Sequence, residues 1–443
     1  MASKVYYMPD SAVSIETSMV AKMLTVFDAA GFGEMIKPGD TVAIKIHCGE
    51  YNNTAYVRPV YPRALADKVK SLGGRPFVCD TTTLTYSTFA GRATALDELL
   101  VAERNGFNSG TLGCPFIVAD GYVGTDDVRV DLPEGFILKE AYVAKAIALA
   151  DVVIALTHFK GHPMGVIGGS IKNLGIGCQS KRGKSNVHMG GHPKYGLNAA
   201  PYFPHLCAGK DCPQWELCVS CCPYQLFKVK DRNGDEPVFE WDHEHCTNCL
   251  SHLGVNMACG VVGITEDNMD ASNAAMADGA LAVVKAVGRE KIGFINLAMD
   301  VAPNCDCIHF SDRPIVPNLG VFASKDCVAI DRACADKAKA SVGMPGSRAQ
   351  DRGVMAPGMP KFSTAASMMG GSEDIQINTG AKIGLGSKEY ELIEVPPGDR
   401  TQFLFEFDKR PVGLRLAKLY RKAQIIPEEG FKRVPEVDLE EVR

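Results

Sequence analysis

Over residues 1–200, short apolar runs alternate with stretches whose apolar residues recur at helical spacing. Lys4–Met8 reads as a strand, Ile15–Ala30 as a helix and Thr41–Ile46 as a second strand. A helix over Tyr61–Leu72, closed by Gly73 and Gly74, leads to a strand at Pro76–Cys79, and a helix over Thr94–Arg104 stops at Asn105-Gly106. Another helix is predicted over Lys139–Ala150. Val152–Leu156, apolar at every position, then reads as a strand covered on both faces. Strand–helix alternation of this kind predicts an α/β fold, a mostly parallel sheet flanked by helices.

After Pro193 the texture becomes rich in Pro, Cys and aromatic residues, and helical spacing returns only at Ala271–Val287. A strand at Ile292–Leu297 and a helix at Cys327–Ala340 complete the first pattern. The expected organisation is an α/β domain over 1–200, a small α+β insert over 201–268, the rest of the α/β domain over 269–343, and an extension over 344–443. Within that extension, Gly343–Met369 reads as a long loop serving as a lid or partner-contact arm, Ile375–Phe407 as β hairpins, and Arg415–Lys422 as a short basic helix.

Charge and composition narrow the function. With 47 Lys and Arg against 52 Asp and Glu, the net charge of −5 gives no electrostatic footprint for nucleic acid. The most apolar stretch, Ala141–Phe159, is broken by Lys145 and Asp151, and the start MASKVYYMPDSAV lacks the basic and apolar regions of a signal peptide. A cytoplasmic protein without a membrane span is expected. Its sixteen cysteines then argue for metal or redox chemistry, since disulfides are disfavoured in such a compartment.

Eight of the sixteen lie between positions 207 and 259: Cys207, Cys212, Cys218, Cys221, Cys222, Cys246, Cys249 and Cys259. Two-cluster bacterial ferredoxins repeat C-x-x-C-x-x-C-x-x-x-C-P, three cysteines gripping one cubane while the fourth crosses to the other. Read back from Cys222-Pro223, the first copy has Cys218, Trp215 in place of a cysteine, and Cys212. The second has Cys246, Cys249 and His252, then an enlarged loop Leu253–Ala258 before Cys259, with Gly260 in place of proline. Apolar segments after each fourth cysteine, Tyr224–Phe227 and Val261–Ile264, would supply strands. By the crossed rule one [4Fe-4S] cluster takes Cys246, Cys249 and Cys222, completed by His252 or an outside ligand. The other takes Cys212, Cys218 and Cys259, completed by Cys207 or Cys221. A structural zinc site at Cys246 and Cys249 is the alternative. Cys305 and Cys307, one residue apart, are placed to bind a metal or to oxidise, or are plain loop thiols.

The strand at Val152–Leu156 runs directly into a polar, glycine-rich loop, and such loops open into the ligand crevice of an open α/β sheet. Gly168, Gly169 and Ser170, at the start of a predicted helix, would present backbone amides to an anion, with Lys160 and Lys172 as point charges and Asn173 beside them. No Walker or G-x-G-x-x-G pattern is present. His158, His162 and His188 are candidates for proton transfer along with Lys172, and Lys45 and His47, ending an earlier strand, for the opposite wall.

Val42–Glu50, Tyr56–Pro59, Gly168–Gly177, Cys305–Cys307 and Ala323–Asp331 together resemble the family known as domain of unknown function 362 (DUF362), whose members are often described as iron–sulfur proteins. The resemblance implies an α/β domain interrupted by a ferredoxin-like module and supplies no reaction. Trp215, His252 and the Leu253–Ala258 loop depart from the usual ligation. The expected function is a redox protein whose one or two [4Fe-4S] clusters pass single electrons to an anionic substrate or cofactor in the cleft, a reductase served by a partner such as ferredoxin in a low-oxygen cell. The alternatives are a carrier that docks to a larger redox enzyme, and a metalloenzyme or isomerase with structural clusters.

Overall fold

The computed structural model describes residues 2–84, 91–196, 202–231, 233–234, 238–247, 249, 260–367, 371–399, 422–423 and 426–442. Pleating decides the layers. In one central strand Val152, Ile154 and Leu156 enter one apolar core while Val153 and Ala155 enter another, so the sheet is buried on both sides. Its strands are β1 (Ser3–Met8), β2 (Thr41–Lys45), β3 (Arg75–Asp80), β4 (Phe116–Val118), β7 (Val152–His158), β12 (Ile292–Ala298), β13 (Gly320–Ser324) and β14 (Tyr390–Glu394). Smaller antiparallel pairs are β5 (Asp127–Asp131) with β6 (Glu140–Ala144), β8 (Lys160–His162) with β9 (Val166–Gly168), and β10 (Phe227–Val229) with β11 (Phe239–Trp241). In the eight-stranded sheet the order is β14-β1-β13-β12-β7-β2-β3-β4, and β13 alone runs against its neighbours. The fold is α/β, with a mostly parallel sheet.

Helices α1 (Met19–Ala29), α2 (Val60–Ser71), α3 (Ala95–Arg104) and α4 (Ser109–Leu112) supply residues to the core around Ile44 and Ile154. Into the other core go α5 (Lys145–Ala148), α6 (Ser170–Gly175), α7 (Lys181–Val187), α9 (Glu266–Val287), α10 (Cys327–Ala340) and α13 (Ile375–Lys382). Capping explains where several begin. Thr94 and Asp97 form a reciprocal capping box on α3, and the Asp326 carboxylate accepts from the Val328 and Ala329 amides at the start of α10. α9 can be buried almost from end to end because it is built largely of alanine and other small residues. It crosses α6 with backbones touching: a Cβ on Gly175 would lie 2.0 Å from the Met276 carbonyl oxygen.

Three sequence expectations change. Lys139–Ala150 is not a continuous helix, since Ala141 and Val143 alternate with Glu140 and Tyr142 at strand spacing and pair as β6 before the short α5. The stretch 343–369 is no free arm: α11 (Arg348–Asp351) and α12 (Lys361–Ala365) anchor it, and Val354, Phe362, Ala365 and Ala366 are buried in the main core. In place of hairpins, the described part of that stretch, 375–399, holds α13 and the strand β14, paired in parallel with β1, while 400–407 lie outside the described residues. Of the expected basic helix at 415–422, only Lys422 is among the described residues.

Between α7 and α9 lies a module holding the β10–β11 hairpin and α8 (Trp215–Ser220), with a single bridge joining Tyr202 to Val262. Among the described residues its core is its own: Cys207, Cys221, Cys222, Phe227, Val238, Phe239, Trp241, Val261 and Val262. Of the two strands expected here, the first begins only at Phe227 and the second is reduced to the bridging Val262. Met1–Pro397 form one compact unit and Gly398–Arg443 a second.

Candidate functional site

Parallel strands end side by side, so the polar residues that follow them crowd into one crevice. β2 ends at Lys45 with His47 just beyond, β3 ends at Asp80, and β7 ends at His158 and turns at once into the β8–β9 hairpin. The loop after β12 brings Asp306 to His158.

Asp80 is the hub of one half. Lys45 Nζ lies 2.9 Å from one carboxylate oxygen, and Arg92 Nη1 lies 3.3 Å from the other, which also accepts from the Cys48 amide at 3.1 Å. Burial would raise the Asp80 carboxyl, but Lys45, His47 and Arg92 hold it well below the ordinary carboxylate value. Lys45 also donates to Asn173 Oδ1 at 3.0 Å, and Asn173 Nδ2 donates to Thr157 Oγ1. Arg92 reaches Glu50 at 3.2 Å and Glu98 at 3.7 Å, every one of these side chains buried. Burial, reinforced by Asp80 and Asp120 and opposed by Arg92, pushes the Glu98 carboxyl up to about 8. Cys48, Asp80 and Glu98 bring ligand atoms within 4.8 Å of one another, and Arg92 already supplies a cation to that group.

Asp306 organises the other half. Its carboxylate contacts His158 Nδ1 and Lys160 Nζ, each at 2.9 Å, while His158 Nε2 is turned to the carbonyls of Met299 at 2.8 Å and Asp300 at 3.2 Å. Both nitrogens of His158 and the charge of Lys160 are thus engaged in holding the 299–306 loop. His188 lies near His162 and pairs with Ser272 Oγ at 3.1 Å. Burial first, then Lys172 and His162, pushes His188 down to about 3.

Within this crevice His162, Cys305 and Cys307 place ligand atoms within 4.8 Å of one another. The Cys307 amide donates to Cys305 Sγ at 3.3 Å, while His47 is engaged elsewhere, its Nδ1 facing the Gly49 amide at 3.0 Å and its Nε2 facing Arg92 Nη2 at 3.3 Å. Burial opposes ionisation of Cys305, yet its bond to Cys307, the charge of Lys172 and His162 together hold it well below the ordinary thiol value. Cys307 moves the opposite way, raised by its bond to Cys305 and by burial. Lys172 acts electrostatically on His162, His188, Cys305 and Cys307, and among the described residues it makes no ion pair. Two non-glycine residues in the left-handed region flank the group, Val166 at φ 62° and Asp300 at φ 50°. Such positions cost about 1–3 kcal/mol each and are tolerated where the surroundings over-determine them.

One expectation is corrected here. The start of α6 was expected to receive an external anion on Gly168, Gly169 and Ser170, but the chain supplies that anion itself. Asp331 accepts from the Ser170 amide at 2.7 Å and the Ile171 amide at 2.8 Å, and Ser170 Oγ donates to Asn296. A Cβ at Gly169 would lie 2.4 Å from the Asp331 carboxylate, so glycine there makes room for Asp331.

The insert's thiols form a separate group. Burial first, then Cys218, Cys222 and Cys249, pushes the Cys221 thiol up to about 12. Cys249 belongs to the second half-motif and the other two to the first, so both halves act electrostatically on this thiol. Cys207, Cys221 and Cys222 are buried in the module's core, with Cys218 and Cys246 packed against it. His252 and Cys259 lie outside the described residues, and Cys212 is half-buried. The insert's cysteines are compatible with metal binding. Sequence reasoning passed over Arg92, Glu98 and Asp331, whose roles arise from contacts between distant segments. The only local hint was Cys305-Asp306-Cys307 itself.

The profile of the family described as Domain of unknown function (DUF362) matches residues 42–336. No curated protein matches the chain. Among solved structures the chain is similar to the lactate racemase apoprotein from Thermoanaerobacterium thermosaccharolyticum, with 12% identity and a TM-score of 0.38. The match covers 77% of this chain and 59% of that one, so the chain spans about three fifths of that protein's length.

Proposed function

The chain belongs to the DUF362 family, and we propose that it is an iron–sulfur reductase that passes single electrons from one or two [4Fe-4S] clusters to a small anionic substrate or cofactor in the strand-end crevice. The observation that supports this reading is that the electrostatic influences on the Cys221 thiol come from both half-motifs, Cys218 and Cys222 of the first and Cys249 of the second, in a module whose apolar core also takes in Cys207 and, packed against it, Cys246. Several thiols drawn together and shielded from water repel one another when ionised, and a cationic metal centre relieves that repulsion. Cys246, Cys249 and Cys222 would hold one cluster with His252 or an outside ligand, and Cys212, Cys218 and Cys259 the other with Cys207 or Cys221. When bound, such a centre supplies electrons one at a time, at potentials from about −700 to +450 mV.

In the crevice Lys172 is the cation left to hold the ligand's anionic group, because Lys45 and Lys160 are neutralised by Asp80 and Asp306. His162, pushed down to about 4 by burial and then by Lys172, is a neutral imidazole at pH 7 and carries a transferable proton. In this reading the insert over 201–268 is the electron-carrying module of the α/β domain, a ferredoxin or reductase in a low-oxygen cytoplasm serves it, and the extension over 344–443 follows. Among the described residues no helix is long and apolar enough to cross a membrane.

Anaerobic purification with iron and sulfide analysis tests the proposal. About four or about eight of each per chain are expected, with a paramagnetic signal after reduction by dithionite. Zinc without labile sulfide would overturn it. Lys172→Met should abolish binding of the anionic ligand and turnover while leaving the visible absorbance intact. If that variant changes nothing and only electron flow to a partner is measurable, the protein is a carrier and not a reductase.

A further inference from the structure

We propose that Cys305 and Cys307 form a redox-active dithiol–disulfide couple at the floor of the crevice, with Cys305 as the sulfur that leaves as thiolate and Cys307 as the sulfur that is attacked. The two sulfurs lie within 4.8 Å of each other, and Cys307 lies nearer the surface, half-buried where Cys305 is buried. The donors converge on one sulfur. Cys305 Sγ receives the Cys307 amide at 3.3 Å, has the His162 ring and the Cys307 sulfur within 4.8 Å, and feels Lys172. An environment built of donors and a positive charge stabilises a thiolate, and a stabilised thiolate is the better leaving group in exchange.

The hydrogen bonds of His162 distinguish this from a metal site. Its Nδ1 accepts from the Gly165 amide at 2.7 Å and the Met164 amide at 3.2 Å, so in the neutral ring the proton sits on Nε2. Histidines that ligate metals donate from their other nitrogen. Here that other nitrogen is an acceptor, and the ring serves Cys305 as a donor.

The exchange balances with a small dithiol as reductant. Its thiolate attacks Cys307 Sγ of the disulfide, the S–S bond breaks, and the electron pair leaves on Cys305. The second thiol of the reductant then closes on its own sulfur in the mixed disulfide, releasing the cyclic disulfide and expelling Cys307, which takes up the proton that thiol gives up. Two electrons have moved and the protein holds one thiolate and one thiol. If the iron–sulfur reading above is right, two single-electron deliveries and one proton accomplish the same reduction. The couple would then store at the substrate crevice the pair of electrons that a one-electron centre delivers singly.

The test is a redox titration of the full-length protein under argon in mixtures of reduced and oxidised dithiothreitol. The equilibrated samples are alkylated and digested, and the peptide carrying residues 305–307 is weighed. The expected result is one two-electron transition, from both cysteines labelled to neither labelled with a mass lower by two hydrogens, absent in Cys305→Ser and in Cys307→Ser. Lys172→Met, which removes a charge stabilising the reduced form, should move the midpoint to more reducing mixtures by about tenfold in the dithiol to disulfide ratio. Complete labelling at every mixture would overturn the proposal. So would one zinc or iron per chain that is lost in Cys305→Ser and Cys307→Ser. Neither outcome depends on what the insert binds, so this proposal and the iron–sulfur reading can fail separately.

Discussion

Glu98 carries a proton that the unfolded chain gives up. Its carboxyl is buried, and burial, with Asp80 and Asp120 adding to it, raises its pKa from the ordinary 4.5 to about 8. A carboxyl raised on folding binds more protons in the folded state between those two values, so stability falls as pH rises through that window, by up to about 1.4 kcal/mol per pH unit. Glu98→Gln keeps the shape and discards the titration. Its melting temperature should therefore fall less than that of the parent protein between pH 5 and pH 8, and an equal fall would contradict the assignment. Asp80 shows the opposite sign. Held below its ordinary value by Lys45, His47 and Arg92, it contributes stability above the unfolded carboxylate pKa that is lost as the solution is acidified. Asp80→Asn leaves Lys45 and Arg92 buried with too little negative charge, and a urea titration should record a loss of about 3–5 kcal/mol. Little of this was legible in the sequence. Lys45, His47, Lys172 and the histidines stood out because they follow apolar strands, whereas Arg92 and Glu98 owe their roles to tertiary contacts that leave no local pattern.

Elements were read well wherever the hydrophobic period matched burial on both faces of the sheet. β2, β3, β7 and β12 declare themselves as short apolar runs, and α2 and α3 by their spacing and stops. The helix expected over Lys139–Ala150 failed because the alternation of Ala141 and Val143 with Glu140 and Tyr142 was outweighed by the helix-forming residues around it. What no periodicity announces is the contact of α6 with α9. A Cβ on Gly175 would sit 2.0 Å from a backbone oxygen, and one on Gly279 would sit 2.7 Å from the Gly175 oxygen, so neither clash can be relieved by turning a side chain. Gly175→Ala should therefore cost about 1–3 kcal/mol in chemical denaturation. Because α6 carries Lys172, the same variant should weaken ligand binding more than Gly33→Ala, whose Cβ would meet only the ends of the Leu72 side chain at 3.5 Å.

For the whole molecule, the division of apolar cores decides what should unfold first. Two large cores sandwich the eight-stranded sheet, while the cysteine-bearing module rests on a handful of side chains around Phe227, Phe239 and Trp241. On the iron–sulfur reading proposed above, a metal centre would tie that module together where its described apolar core is slight. If that reading holds, chelation or oxidation should abolish hydrogen-exchange protection of β10, β11 and α8 while β2, β7 and β12 keep theirs. Simultaneous loss in both regions would contradict this independence.

The placement of β1 has a consequence for how the polypeptide is made. Both its neighbours in the sheet, β13 and β14, are synthesised long after it, and the Tyr7 hydroxyl finds its acceptor at Leu319, 312 residues later. At about 5–20 residues per second a ribosome needs roughly 16–60 s to cover that interval. For all of that time a ribbon carrying Val5, Tyr7 and Met8 has no lateral partner. Nascent chains should therefore draw on holding chaperones until Gly320–Ser324 has cleared the exit tunnel, and release from them should track the arrival of that strand.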